Sequence, residues 1–218
     1  MADSNELRSV PPPHLRRSAA ELAAAGFGNL YGTGLRGAVE FFLQRYGPAA
    51  AHALVQRLGP GARQHLTPNA PVLGILGTRK YPYAFVGEMI RTMAAVVRAE
   101  EDAFIREIAV AGVDATTSTV ARIALRYVVK PTDVATHAQT LFSLFHDAGR
   151  ITITDLTDRE YLSHLTEWPN HDLTMCKLGI YAAARLIEQT GVRSVEARRE
   201  KCISWGHDHC VTRMRWAP

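Results

Sequence analysis

The chain has 218 residues, 47% of them hydrophobic and 21% charged, with a formal net charge of +4 and a pI near 9.1. This is the composition of a globular protein that can bury a proper core, and no apolar run approaches the roughly 18 residues a membrane span needs. The basic residues are scattered in short groups such as HLRR, EARREK and RMRW, so direct nucleic-acid binding is not expected; the N-terminus lacks a secretory h-region, and the expected location is cytoplasmic.

Residues 1–13 end in Val-Pro-Pro-Pro and read as a flexible lead-in. Residues 14–218 read as one domain, mainly helical over 14–148 and β-β-α-β-β over 149–218. Ser18 followed by Glu21 has capping-box spacing and starts a helix. LRGAVEFFLQRYG puts Leu35, Val39, Phe42, Leu43 and Tyr46 on one helical face, and Gly47-Pro48 stops it. AAAHALVQRLGPG is a second helix ended by Gly59-Pro60, and YPYAFVGEMIRTMAAVVRA carries Phe85, Met89, Met93 and Val96 at helical spacing. The stretch from EEDAF to YVVK follows as helix until Pro131, and the next helix starts at Asp133 and stops at Gly149. ITITDL and EYLSHLTEW then alternate as strands about a TDR turn. Pro169-Asn170-His171-Asp172 starts an amphipathic helix closed by Gly191, and VRSVEARREKCIS and HCVTRMRW read as two strands about WGHD. The expected fold class is α+β, with the helical N-terminal part packed on an antiparallel sheet.

The three cysteines, Cys176, Cys202 and Cys210, all lie in the last 43 residues. An odd count excludes a complete disulfide framework, and free cysteines used as small hydrophobes would scatter rather than cluster. With Gly206 at the middle of a three-residue hairpin loop, Cys202 would lie across from Cys210, at a separation suited to two thiolates sharing one zinc ion. Cys176 joins them if its helix crosses the sheet. Glu200 shares a strand face with Cys202 by the two-residue repeat and is the expected fourth ligand, with His207 as the alternative. Three free cysteines at an apolar seam are the competing reading. A redox pair is disfavoured by the seven residues between Cys202 and Cys210.

The segment from Met175 to Cys210 resembles the closing part of the 4-vinyl-reductase domain superfamily, which includes the sensor domains of xylene- and phenol-responsive transcriptional regulators. A cysteine opening a helix, a strand bearing Glu and Cys, then Gly and a final Cys make up that pattern, and the stretch from Arg79 to Met93 is similar to an element of related myxobacterial-type paralogues. The resemblance implies a fold shared with subunits of TRAPP-type trafficking complexes and with haem nitric-oxide sensors. It also implies zinc on the cysteines, a homodimer, and an apolar cavity for a small molecule. In the family the Glu stands three residues before the second Cys; here that position is Arg199, and Glu200 stands two before.

Tyr127, His137, Phe142, Phe145, His146 and Trp168 are the candidate lining of such a cavity, with apolar walls and one or two polar anchors suiting a small apolar or aromatic molecule. No motif for haem accompanies His137 or His146. GTGLRG, from Gly32 to Gly37, matches a dinucleotide fingerprint by letters but lacks its strand and its acidic residue; close packing or a helix start explains the glycines. No catalytic triad, paired carboxylates or phosphate loop is legible. The reading is a noncatalytic sensor domain with structural Zn2+, signalling to a regulatory partner. The alternatives are a dimeric assembly subunit without ligand and, on the family label alone, an accessory protein of tetrapyrrole or aromatic metabolism.

Overall fold

The computed structural model describes residues 18–117, 123 and 129–217. Tyr127 and the 1–13 lead-in lie outside the described residues. Helix α1 (Ala19–Ala24) opens on the capping box of Ser18 and Glu21. Helix α2 (Gly32–Arg57) joins what the sequence suggests are two helices: Gly47 adopts φ 75° and Pro48 follows, so the chain kinks there and turns on as helix. Helix α3 (Pro60–Arg63) starts on Pro60.

Two short strands interrupt the stretch expected to be all helix. Strand β1 (Asn29–Tyr31) pairs antiparallel with β2 (Lys80–Pro82), so helix α4 (Tyr83–Val97) starts two residues later than its apolar spacing suggests. Their reason is tertiary: Tyr31 N–H donates to the Phe145 carbonyl at 2.7 Å, and Asp147 N–H to the Asn29 carbonyl at 3.2 Å. Local propensity carries no trace of such partners.

Helix α5 (Glu101–Thr116) is capped by Glu100, whose carboxylate accepts from the Asp102 and Ala103 N–H groups. Helices α6 (Pro131–Thr136) and α7 (Ala138–Ser143) divide the next expected helix at His137. Strands β3 (Arg150–Thr154) and β4 (Glu160–Thr166), helix α8 (Leu173–Gln189), and strands β5 (Arg193–Lys201) and β6 (Cys210–Ala217) complete the β-β-α-β-β unit. The sheet is antiparallel with order β3-β4-β6-β5.

The fold is α+β, as its sequence pattern implies. Helix α8 packs on α5 and over β5, joining sheet to helical layer. Phe42, Met89, Ile90, Phe104 and Ile105 are essentially fully buried in one cluster that also takes in the three cysteines and Trp168. Each such side chain contributes about 1.5–3 kcal/mol by leaving water. Among the described residues no helix is long and apolar enough to cross a membrane.

Candidate metal centre and adjoining cavity

Cys176 lies in the first turn of α8, where the Asp172 carboxylate accepts from Met175 N–H at 3.0 Å and caps the helix. Cys202 follows β5, and its carbonyl accepts from Trp205 and His207 N–H at 3.0 and 3.2 Å, closing a short 3₁₀ turn (Ile203–Trp205). Gly206 ends that turn at φ 87°, a left-handed conformation that favours glycine. Cys210 opens β6. The connection from 202 to 209 is therefore longer than a three-residue hairpin loop, the extra length being folded into the turn.

The three sulfurs converge. Cys176 Sγ is 3.9 Å from Cys202 Sγ and 3.8 Å from Cys210 Sγ, and the last two are 3.9 Å apart. A fourth donor completes the group: His171 Nε2 stands 3.7 Å from Cys202 Sγ and 3.4 Å from Cys210 Sγ, with all four donor atoms within 4.8 Å of one another. Zinc–sulfur bonds of about 2.3 Å in a tetrahedron put sulfurs about 3.8 Å apart, and a zinc–imidazole bond of about 2.0–2.1 Å puts nitrogen about 3.6 Å from sulfur. The donor set fits a tetrahedral ion of that size. His171 Nδ1 lies 3.1 Å from Ser204 Oγ, a contact that orients the ring with Nε2 toward the sulfurs.

Neither expected fourth ligand is in this group. Glu200 is the extra residue of a β-bulge: Arg199 pairs with Thr212 and Lys201 with Val211, so the two-residue alternation breaks between them. Glu200 Oε1 accepts from Arg213 Nε at 2.6 Å, and His207 is exposed and stands outside the donor group. The bulge instead presents Arg199, whose Nη2 donates to Cys176 Sγ at 2.8 Å. The sequence signal for His171 is its place just before the helix cap, five residues ahead of Cys176, and a helix-start reading of Pro169 to Asp172 passes over it.

The thiols are electrostatically unequal. Cys210 is pushed well below the ordinary thiol value, first because the Cys176 thiol donates to it, with His171 and the Arg199 guanidinium helping and burial opposing. Cys176 is pushed up, first by that same donation to Cys210 and then by burial. The hydrogen bond between Cys176 and Cys210 thus couples the two sulfurs, and a metal ion would bind both as thiolates, releasing their protons.

Cys176 also belongs to the wall of a cavity of about 190 Å³ bounded by the sheet, α2, α5, α7 and α8. Phe142, Phe145, His146 and Trp168 line it, whereas His137 does not. His137 is exposed, its Nδ1 2.8 Å from the Asp133 carbonyl. His146 stacks on Phe142 with centroids 4.0 Å apart, and burial pushes its pKa down to about 3, the neighbouring Asp147 only partly opposing. The ring is neutral, and its Nδ1 shares a hydrogen bond with Tyr83 Oη across 2.9 Å, so either neutral tautomer is satisfied on this side. Asp147 fixes this corner by accepting from the Gly28 and Asn29 backbone N–H groups at 2.9 and 2.8 Å. The Trp168 indole N–H, also buried, has no aligned acceptor among the described residues.

No family model matches the chain, and no curated protein matches its sequence. Solved structures do match. An unliganded Fe(II) H-NOX protein from K. algicida gives a TM-score of 0.65 at 10% identity, covering 86% of this chain and 97% of that one. The fold is shared with H-NOX domains. An H-NOX protein from S. oneidensis in the Fe(II)NO state gives 0.64 at 9% identity over 86% and 99% of the two chains. An oxygen-binding H-NOX domain related to soluble guanylate cyclases gives 0.59 at 10% identity over 86% and 95%. This likeness agrees with the fold the sequence resemblance implies.

Proposed function

We propose that this chain is a noncatalytic small-molecule sensor domain of the 4-vinyl-reductase kind, built around a structural zinc ion and an apolar cavity, and signalling to a partner protein. The reading rests on one observation: Cys176 is at once a donor of the four-atom cluster and part of the cavity wall. Cys176, Cys202, Cys210 and His171 would hold the ion, which supplies charge and cross-linking rather than reactivity, because four protein donors leave no open position for water. Three thiolates, a neutral imidazole and a divalent ion sum to one negative charge. The Arg199 guanidinium at the Cys176 sulfur offsets it.

The cavity is smaller than the about 300–1,000 Å³ of pockets for drug-sized ligands, and suits a single-ring or short-chain apolar molecule. A haem does not fit the residues present. The volume is too small for a porphyrin, and His146, the one imidazole lining the cavity among the described residues, has its ring face on Phe142 and its Nδ1 on Tyr83. A ligand meets Phe142, Phe145 and Trp168 on its apolar sides and the His146 ring at a polar end. Because α8 contributes both to the cavity and to the metal cluster, a ligand that favours one packing of α8 shifts the surface offered to the partner.

Metal analysis and native mass spectrometry of the purified protein test this reading. The expected result is one zinc per chain, abolished by Cys176→Ser and by His171→Asn but kept in Glu200→Gln. A small molecule should be released on denaturation. Full stability with neither metal nor ligand under any condition would leave an assembly subunit as the better reading.

A further inference from the structure

The cavity floor carries a polar row that an apolar ligand has no use for. On the sheet face that lines the cavity, Ser163 of β4 pairs in register with Thr212 of β6, and Thr212 pairs with Arg199 of β5. All three line the cavity. Side chains directly opposite one another on neighbouring strands have Cβ atoms about 4.5–5.5 Å apart, so two hydroxyls and a guanidinium stand side by side across the middle of the sheet.

Much of their hydrogen-bonding capacity is unspent. Thr212 is 2% exposed, yet neither its hydroxyl nor that of Ser163 has a side-chain hydrogen bond to any described residue. Arg199 spends Nη2 on the Cys176 sulfur and, at 3.4 Å, on the Cys176 carbonyl. The three N–H groups on Nε and Nη1 face no carboxylate among the described residues. Ser163 and Arg199 are half-buried and Thr212 is buried; a buried polar group is ordinarily satisfied, and one left without a partner costs about 1–3 kcal/mol.

The remaining polar lining has the same sense. The Thr116 hydroxyl donates to the Gly112 and Val113 carbonyls, His146 is a neutral ring, and no Asp, Glu, Asn or Gln side chain lines the cavity among the described residues. Every polar group there can donate, and the row around Arg199 adds a positive charge. A ligand with no polar atom leaves that row unpaired, and one that only donates leaves the guanidinium unpaired, since hydroxyls accept but a guanidinium cannot; a carboxylate offers two oxygens with about four lone-pair directions and the complementary charge.

Resting on the sensor reading above, we propose that the cavity takes a small monocarboxylic acid with an apolar body. Its carboxylate sits on Arg199, Thr212 and Ser163, and its ring or short chain lies against Phe142, Phe145 and Trp168. Arg199 then serves two anions, the sulfur cluster and the ligand, and Thr212 and Ser163 take the oxygens that the guanidinium does not.

Calorimetric titration of the purified, metal-containing protein with benzoate, hexanoate, p-cresol and toluene tests this. Benzoate or hexanoate should bind at least about tenfold more tightly than p-cresol or toluene, the scale of one charge-assisted hydrogen bond. Arg199→Met should remove that advantage and leave p-cresol and toluene unchanged. Since Arg199 touches a sulfur, Thr212→Val, which keeps the side-chain shape and leaves the sulfurs alone, provides the second reading and should weaken benzoate several-fold. Tighter binding of p-cresol or toluene than of the acids, or carboxylate binding indifferent to both variants, overturns the carboxylate inference while the sensor reading stands. Binding of none of the four probes overturns the inference and counts against the cavity as a ligand site.

Discussion

At the scale of single residues, His146 and the cysteines show burial acting in opposite directions. Burial lowers the His146 pKa to about 3 because it disfavours the imidazolium, whereas the unfolded chain protonates this residue near 6.5. Between those values the unfolded state binds more protons, so stability falls as pH drops from about 6.5 toward about 3. Denaturant melts across that window, with metal chelated beforehand so that its release is not read, should show a loss on the order of a few kcal/mol. The slope should flatten in His146→Gln, which keeps a partner for Tyr83. At this scale the three cysteines are legible in the sequence because they crowd into one segment. His171 is not, since its usefulness depends on a loop geometry that places it over β6. Glu200 misleads for a comparable reason: alternation is a sound rule only while register is kept, and the bulge between Arg199 and Lys201 breaks it.

Among elements, the join between α4 and α8 fixes where the first cysteine stands. Gly87, in the middle of α4, lets Asp172 approach so closely that a Cβ at this position would lie 2.5 Å from the Asp172 carboxylate. Asp172 caps α8 and also accepts from Arg91 Nη1 at 2.9 Å. Gly87→Ala should therefore displace the cap, at a cost of about 1–2 kcal/mol, although alanine is the better helix former at an unconstrained site. Thermal melts should show the destabilisation, and zinc affinity should fall with it, because Asp172 separates His171 from the turn that bears Cys176. The amphipathic spacing of α4, α5 and α8 makes those helices readable from sequence. The pairing of β1 with β2, between residues some 50 apart, is not, because each strand is three residues long and gains its hydrogen bonds from distant partners.

Across the whole molecule, the four-donor cluster joins the start of α8 to the 3₁₀ turn after β5 and the start of β6, which lie 26 and 34 residues further along the chain at Cys202 and Cys210. Removing the ion should loosen these places together and spare the interior of α4 and α5. Hydrogen exchange after chelation should rise over residues 171–176 and 202–210 while the Met89 to Met93 region stays protected. At about 2–4 °C per kcal/mol for a chain of this size, losing a few kcal/mol of metal binding lowers Tm by roughly 10 °C. Unchanged exchange after complete chelation would remove the ion from any role in holding this end of the fold.

The order β3-β4-β6-β5 sets Cys210–Ala217 in the interior of the sheet, between strands made earlier. A ribosome delivers those residues after everything that flanks them, so β4 and β5 have no neighbour to hydrogen-bond between them until the central strand emerges. The helical layer can collapse while translation continues, but the floor of the cavity and the last sulfur arrive together. A nascent chain stalled before residue 210 thus presents two unpaired strand edges, the kind of surface that chaperones engage.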